Sequence, residues 1–211
     1  MKNLVTFIII SSLLSCSVTD KVYREKIANH RTEAQSELTN YKAASFKSEE
    51  IIKNLDYFPA NEKYACTCTF VKSDTRKMIE MPTYSGINKA FVVYGKALCK
   101  IDKDEVVLTL YKSMRTLPGY ADLIFVPFKD KTNGVSTYEG GRYMDLEEHD
   151  IHMDKVIIDF NMAYNPWCAY SDGFNCPIPP SDNHLDITIK AGEKKYKGKP
   201  LKSDWFTVSK D

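Results

Sequence analysis

Phe91-Val92-Val93-Tyr94-Gly95-Lys96-Ala97-Leu98-Cys99-Lys100-Ile101 is followed by Asp102-Lys103-Asp104-Glu105 and then Val106-Val107-Leu108-Thr109-Leu110-Tyr111. Two runs rich in β-branched and aromatic residues thus flank four residues of turn composition, which predicts a β-hairpin. Upstream, residues 64–71 alternate apolar with polar, another strand signal. Downstream, residues 123–128, 142–146, 156–161, 185–191 and 205–208 read as strands separated by Gly, Pro, Asn and Asp clusters. Short strands without intervening helices predict a mainly β domain, an antiparallel sandwich or barrel-like sheet, over residues 58–211. The lysine-rich run 190–202 reads as a solvated turn between the last two strands.

Residues 20–57 carry one or two N-terminal helices that belong to the same globular unit. Tyr23, Ile27, Ala34 and Leu38 recur at helical spacing behind Thr19 or Asp20 as N-cap. Ser48 can cap a second, short helix that must end before Phe58-Pro59, because proline disfavours helix in the residue before it. The first fifteen residues differ: Lys2 precedes an apolar run over 4–14, and Leu13-Leu14-Ser15-Cys16 closes it. That pattern is similar to a bacterial lipoprotein signal, and its apolar run is shorter than a membrane-spanning helix needs. It implies a signal peptide over 1–15, a lipid-anchored start at 16–19, and a diacylglyceryl group on Cys16 that partners the protein with a cell-envelope membrane. An ordinary cleaved signal with an incidental cysteine is the alternative, and it exports the chain equally.

Of the 211 residues, 29 are Lys or Arg and 28 Asp or Glu, so no broad basic field exists to hold nucleic acid. Beyond Cys16 stand Cys66, Cys68, Cys99, Cys168 and Cys176. An odd number leaves at least one unpaired. Cys66 and Cys68 share a strand face and are poorly placed to bridge each other, while either can reach Cys99. Buried free thiols are the other reading, a Cys-x-Cys metal site a third. Cys168 and Cys176 are candidates for a disulfide closing a short loop, or for a reactive thiol pair.

An ordered series of motifs carries a resemblance: Thr132-Asn133-Gly134, Thr137-Tyr138-Glu139-Gly140-Gly141-Arg142-Tyr143, Asp159-Phe160-Asn161, Cys176-Pro177-Ile178-Pro179-Pro180, Asn183, and Ala191-Gly192-Glu193. Together they resemble the domain of unknown function family 1684, from about residue 27 to about residue 194. The resemblance implies one compact, mainly β domain of the kind found in exported bacterial lipoproteins, with no established activity. Cys66 and Cys68 fall outside the family pattern, and residues 147–154 replace what is there a short polar turn.

The strand over 156–161 puts Asp159 and Asn161 on one face and Val156, Ile158 and Phe160 on the other. If residues 140–145 form the neighbouring strand, Arg142 or Asp145 stands across from them. Asn165, Asn183 and Glu193 then complete a pocket for a small polar or anionic ligand, with Arg142 as the anion's partner. A structural reading competes: Arg142 pairs with Asp159, and the asparagines tie loop backbones. A catalytic reading makes Asp145 and Asp159 acid and base.

Glu148, His149, His152 and Asp154 have the composition of metal ligands, but His-x-x-His in a hairpin turn lacks helical spacing, so no metal and no cofactor is expected. Ser181-Asp182-Asn183 stands without the companion motifs of penicillin-recognising enzymes. Tyr164, Trp167, Tyr170 and Phe174 read either as a stacking platform or as the packing that seats their loop. These readings point to a lipid-anchored cell-envelope binding or interaction module. The alternatives are a metal-independent envelope hydrolase using Asp145 or Asp159, and a purely structural envelope domain.

Overall fold

The computed structural model describes residues 3–40, 48–114 and 121–202, apart from the side chains of residues 3–19, 40 and 48. The side chain of Cys16 and the strand expected over 205–208 lie outside the described residues. Two helices, α1 (Asn3–Asn40) and α2 (Ser48–Lys53), precede seven strands: β1 (Ala65–Lys72), β2 (Met78–Met81), β3 (Lys89–Ile101), β4 (Asp104–Ser113), β5 (Leu123–Phe128), β6 (Arg142–Glu147) and β7 (Lys155–Asp159). Among the described residues no helix is long and apolar enough to cross a membrane.

The strands form one antiparallel sheet in the order β6-β5-β4-β3-β1-β7, with β2 beside β3 in line with β1. The expected hairpin is its centre: β3 and β4 pair from Ile101 opposite Asp104 to Phe91 opposite Ser113. Its turn is tighter than the four residues expected, and Asp102 takes the left-handed conformation (φ 54°) that such a turn requires. A bulge between Val93 and Gly95 bends β3. A Cβ on Gly95 would lie 2.6 Å from the Val71 carbonyl oxygen, so only glycine lets β1 approach there.

Bending curls the sheet into a half-barrel. Alternation sends Cys68, Phe70, Ala97, Cys99, Leu108, Leu110, Ile124, Val126, Phe128, Val156 and Ile158 to the concave side, where all are buried. Cys68 bridges Cys99 across β1 and β3, leaving Cys66 a buried free thiol, and Cys168 bridges Cys176.

The concave side is closed by an irregular segment. Leu185, Ile189 and Ala191 join the sheet's apolar cluster, but 185–191 is not the strand expected. Its backbone meets residues 129–131 at scattered points, Leu185 N–H to Lys129 O (2.7 Å) and Lys131 N–H to Ile187 O (2.8 Å), and side chains take the rest. The run after 190 is likewise no free turn: Gly192, Glu193 and Tyr196 are buried, and Lys194 and Lys197 pair with Asp56. Gly192 (φ 73°) lies so close to the Phe160 and Ala163 carbonyl oxygens that any Cβ would fall 2.6 Å from each. Helix α1 joins the domain through buried Ile27 and through Arg31, which donates to Phe58 O (3.0 Å) over the ring of Tyr57.

Candidate functional site

Arg142, the proposed anion partner, is fully buried. It points from β6 into the half-barrel, and its partner is Asp130 (3.1 Å), a residue the sequence reading did not single out. The guanidinium also donates to the carbonyls of Ala191, Ile189 (3.1 Å) and Glu193 (3.4 Å), and lies over the Phe128 ring. Burial pulls it below its ordinary pKa, which Asp130 opposes. Asp130 in turn accepts from the Ile189 N–H (2.8 Å) and the Thr132 hydroxyl (2.8 Å). The ion pair thus replaces a strand ladder: it satisfies backbone groups of 189–193 that no neighbouring strand reaches.

Asp159 lies elsewhere, because β6 and β7 are opposite ends of the strand order. The expected Arg142–Asp159 apposition, as pocket or as ion pair, does not form. Arg142 and Asp145 moreover stand on opposite faces of β6, being an odd number of residues apart. Asp159 and Asn161 do lie together, but not on one strand face as expected: β7 stops at Asp159, and Asn161 Nδ2 donates to Asp159 Oδ1 (2.9 Å) from the 3-10 turn that follows. Tyr23 of α1 completes this group by donating to both Asp159 oxygens (2.9 Å each), and Asn161 also donates to Asn61 O (2.9 Å). β7 ends here, with Asp159 accepting from the Asn161 N–H (3.0 Å) as a 3-10 turn begins.

Glu193 and Asn165 form a third group. Glu193 is sealed, and its carboxylate accepts from the Asn165 N–H (3.0 Å), Asn165 Nδ2 (2.7 Å) and the Tyr170 hydroxyl (2.7 Å to each oxygen). Burial pushes its pKa up to about 7 in spite of those donors.

Asn183 fills a gap in the sheet. β4 and β5 pair only at Tyr111 and Phe125, and Pro127 offers no N–H. The Asn183 side chain accepts from Thr109 N–H (2.7 Å) and donates to the Thr109 (2.8 Å) and Pro127 (2.7 Å) carbonyls, as a strand peptide would.

Asp145 alone of the seven candidates is exposed. The surrounding protein pushes its carboxyl up to about 6, and a nearby charge on Glu37 adds to this, while the Tyr164 hydroxyl, donating at 2.5 Å, opposes it. Water reaches the group and screens that push, so it carries little stability.

The seven candidates therefore divide among five places, and none lines either of two open depressions on the described surface. One of these lies along α1 at Val22, Lys26, His30 and Met162, and the other runs between the start of β4 and Asp182, His184 and Asp186. Asp130 and Asn61, which sequence reasoning passed over, and Tyr164 and Tyr170, which it read only as stacking or packing residues, do the partnering. The close Thr132-Asn133-Gly134 turn was the only signal near Asp130, and it named no partner 12 residues away. The aromatic residues pack: Trp167 stacks on Phe174 (5.2 Å) and meets Tyr170 edge-on (6.3 Å).

Fold and interior define the class: a mainly β half-barrel with an N-terminal helix fastened to it and internal polar struts in place of missing strand pairing. Residues 51–194 match the family described as protein of unknown function (DUF1684), and the chain belongs to that family. The match begins later than the resemblance from residue 27 implied, leaving all of α1 outside it. An uncharacterized protein of Haloarcula marismortui, solved by solution NMR, is 29% identical over 81% of this chain and 97% of its own, with a TM-score of 0.57. No curated protein matches the chain.

Proposed function

We propose that the chain is a lipid-anchored binding or interaction module of the cell envelope. The observation that carries this reading is the lipoprotein-type pattern ending at Cys16; six of the seven candidate residues, all but Asp145, are buried and bonded to other interior side chains or to backbone, which takes them out of recognition. The interior polar chemistry keeps the domain's shape, so recognition of a polar or anionic partner falls to the outer surface and not to Arg142. The lipoprotein-type signal ending at Cys16 supports the anchoring. Tyr23 follows Cys16 by seven residues of α1, about 10 Å of helix, so the domain would ride close to its membrane.

A hydrolase reading narrows to Asp145, the one candidate that is both wetted and raised in pKa. Mass spectrometry of the mature N-terminus tests the anchor: a diacylglyceryl-modified Cys16 is expected, and an unmodified Cys16 overturns it. Assays of the intact protein against ester, amide and glycoside substrates test the module. Turnover that Asp145→Asn abolishes would replace the binding reading by the enzymatic one.

A further inference from the structure

The convex side of the sheet is dressed unevenly. Toward β5 and β6 it is covered: Met81, Phe91 and Tyr111 cluster there with Phe125, and Tyr143 donates its hydroxyl to Pro177 O and pairs with Tyr164. Toward β7, β1 and β3 the described residues leave it exposed. Val71, Leu98 and Ile157 stand there 53%, 45% and 56% exposed, interleaved with exposed Lys96, Lys100 and Lys155.

These groups are contiguous. Thr69 lies between Leu98 and Lys155, Val71 lies opposite Lys96, and Ile157 lies opposite Thr67. Between 67 and 71, 96 and 100, and 155 and 157, the exposed side chains are aliphatic, threonine or lysine, with no carboxylate. One strand further on carboxylates enter: Glu105, opposite Lys100, lies with Asp182, Asp186 and Lys103 around the depression at Val107.

We infer that this face of β7, β1 and β3 lies against the surface of an anionic phospholipid bilayer. The inference rests on the anchored reading above. Aliphatic side chains of this size enter the headgroup boundary, while lysines lay their stems on apolar surface and keep their ammonium groups among the phosphates. The basic half of the convex side is also the half beside the anchor. Ile157 is two residues before Asp159, which Tyr23 fastens to α1, whereas Glu105 lies on β4, on the side of β3 away from β7. An acidic protein partner would meet the same charges, but the face offers it neither a groove nor an aromatic anchor of the kind that dominates protein interfaces.

Lysine acetylation of the lipid-anchored protein, mapped by mass spectrometry, tests this. It compares vesicles of phosphatidylcholine alone with vesicles containing about one-third phosphatidylglycerol. The expected result is a fall of roughly fivefold or more in the reactivity of Lys96, Lys100 and Lys155 on the anionic vesicles, reversed by high salt, with exposed Lys131 and Lys195 unchanged. An anchored protein whose three lysines react equally on both vesicles overturns the face and leaves the anchor standing. A chain that lacks the lipid but shows the footprint overturns the anchor and keeps the face. Protection that appears only when other envelope proteins are added overturns the bilayer as the occupant.

Discussion

The Tyr23 hydroxyl stands 2.9 Å from each carboxylate oxygen of Asp159, joining residues 136 positions apart and bolting the N-terminal helix to the end of β7. Hydrogen bonds to a charged partner are worth about 1.5–3 kcal/mol. Tyr23→Phe should therefore lower unfolding free energy by about 2 kcal/mol and speed amide exchange in α1 ahead of the sheet. Asp159→Asn should cost a similar amount, and the double variant less than the sum of the two. Strictly additive losses in urea unfolding would show that the contact contributes nothing.

Arg142 and Asp130 form a sealed pair, and removing one member strands the other. Arg142→Met should cost about 3–5 kcal/mol, and Asp130→Asn a comparable amount. Both should lower the melting temperature, with near-neutral effects on any surface binding. A loss of ligand affinity at unchanged stability would return Arg142 to the recognition role first read from the sequence.

Glu193 gives the domain a pH dependence of definite sign. Its folded pKa is raised, to about 7 from 4.5, so the folded state holds its proton more tightly than the unfolded chain between those values. Stability from this group is therefore present at low pH and lost as pH rises from about 4.5 through about 7, by at most about 3 kcal/mol. Denaturant unfolding of the wild type should lose more stability between pH 5 and pH 8 than Glu193→Gln does. Equal slopes would mean that the carboxylate is solvated.

Thiol chemistry should separate the five described cysteines. Cys66 is buried and burial pushes its thiol up, so iodoacetamide should modify it only after unfolding. Peptide mapping should find Cys68 joined to Cys99 and Cys168 to Cys176. Replacing the second pair by serines should cost roughly 2–3 kcal/mol, the loop-closure value for so short a loop.

The sheet was legible wherever alternation ran unbroken. β3, β4, β5 and β7 fall within two residues of where the apolar pattern puts them, because one face of each is core. β2 was not legible, since four residues carry too little periodicity, and it is a strand through its pairing with β3. Residues 185–191 misled for the opposite reason: Leu185, Ile187 and Ile189 alternate as a strand would, yet Arg142 and Asp130 occupy the positions of a neighbour. At the candidate site Asp159 and Asn161 meet, though through a 3-10 turn and not along the strand face that their spacing suggested. Partners across the chain, such as Asp130 for Arg142 and Tyr170 for Glu193, depend on how far the sheet curls, which no local pattern encodes.

β1 gains its second neighbour only when β7 arrives, Ala65 lying opposite Asp159. On a chain delivered N-terminus first, β1 and β3 can pair early, but the far edge of β1 stays open until β7, residues 155–159, has followed. The segment that carries Asp159 to Glu193 then supplies the last strand, the plug of the concave side and the clasp for α1 together. Completion of this fold is therefore a late event, and a chain cut before β7 would leave one edge of β1 without a neighbour and open to aggregation.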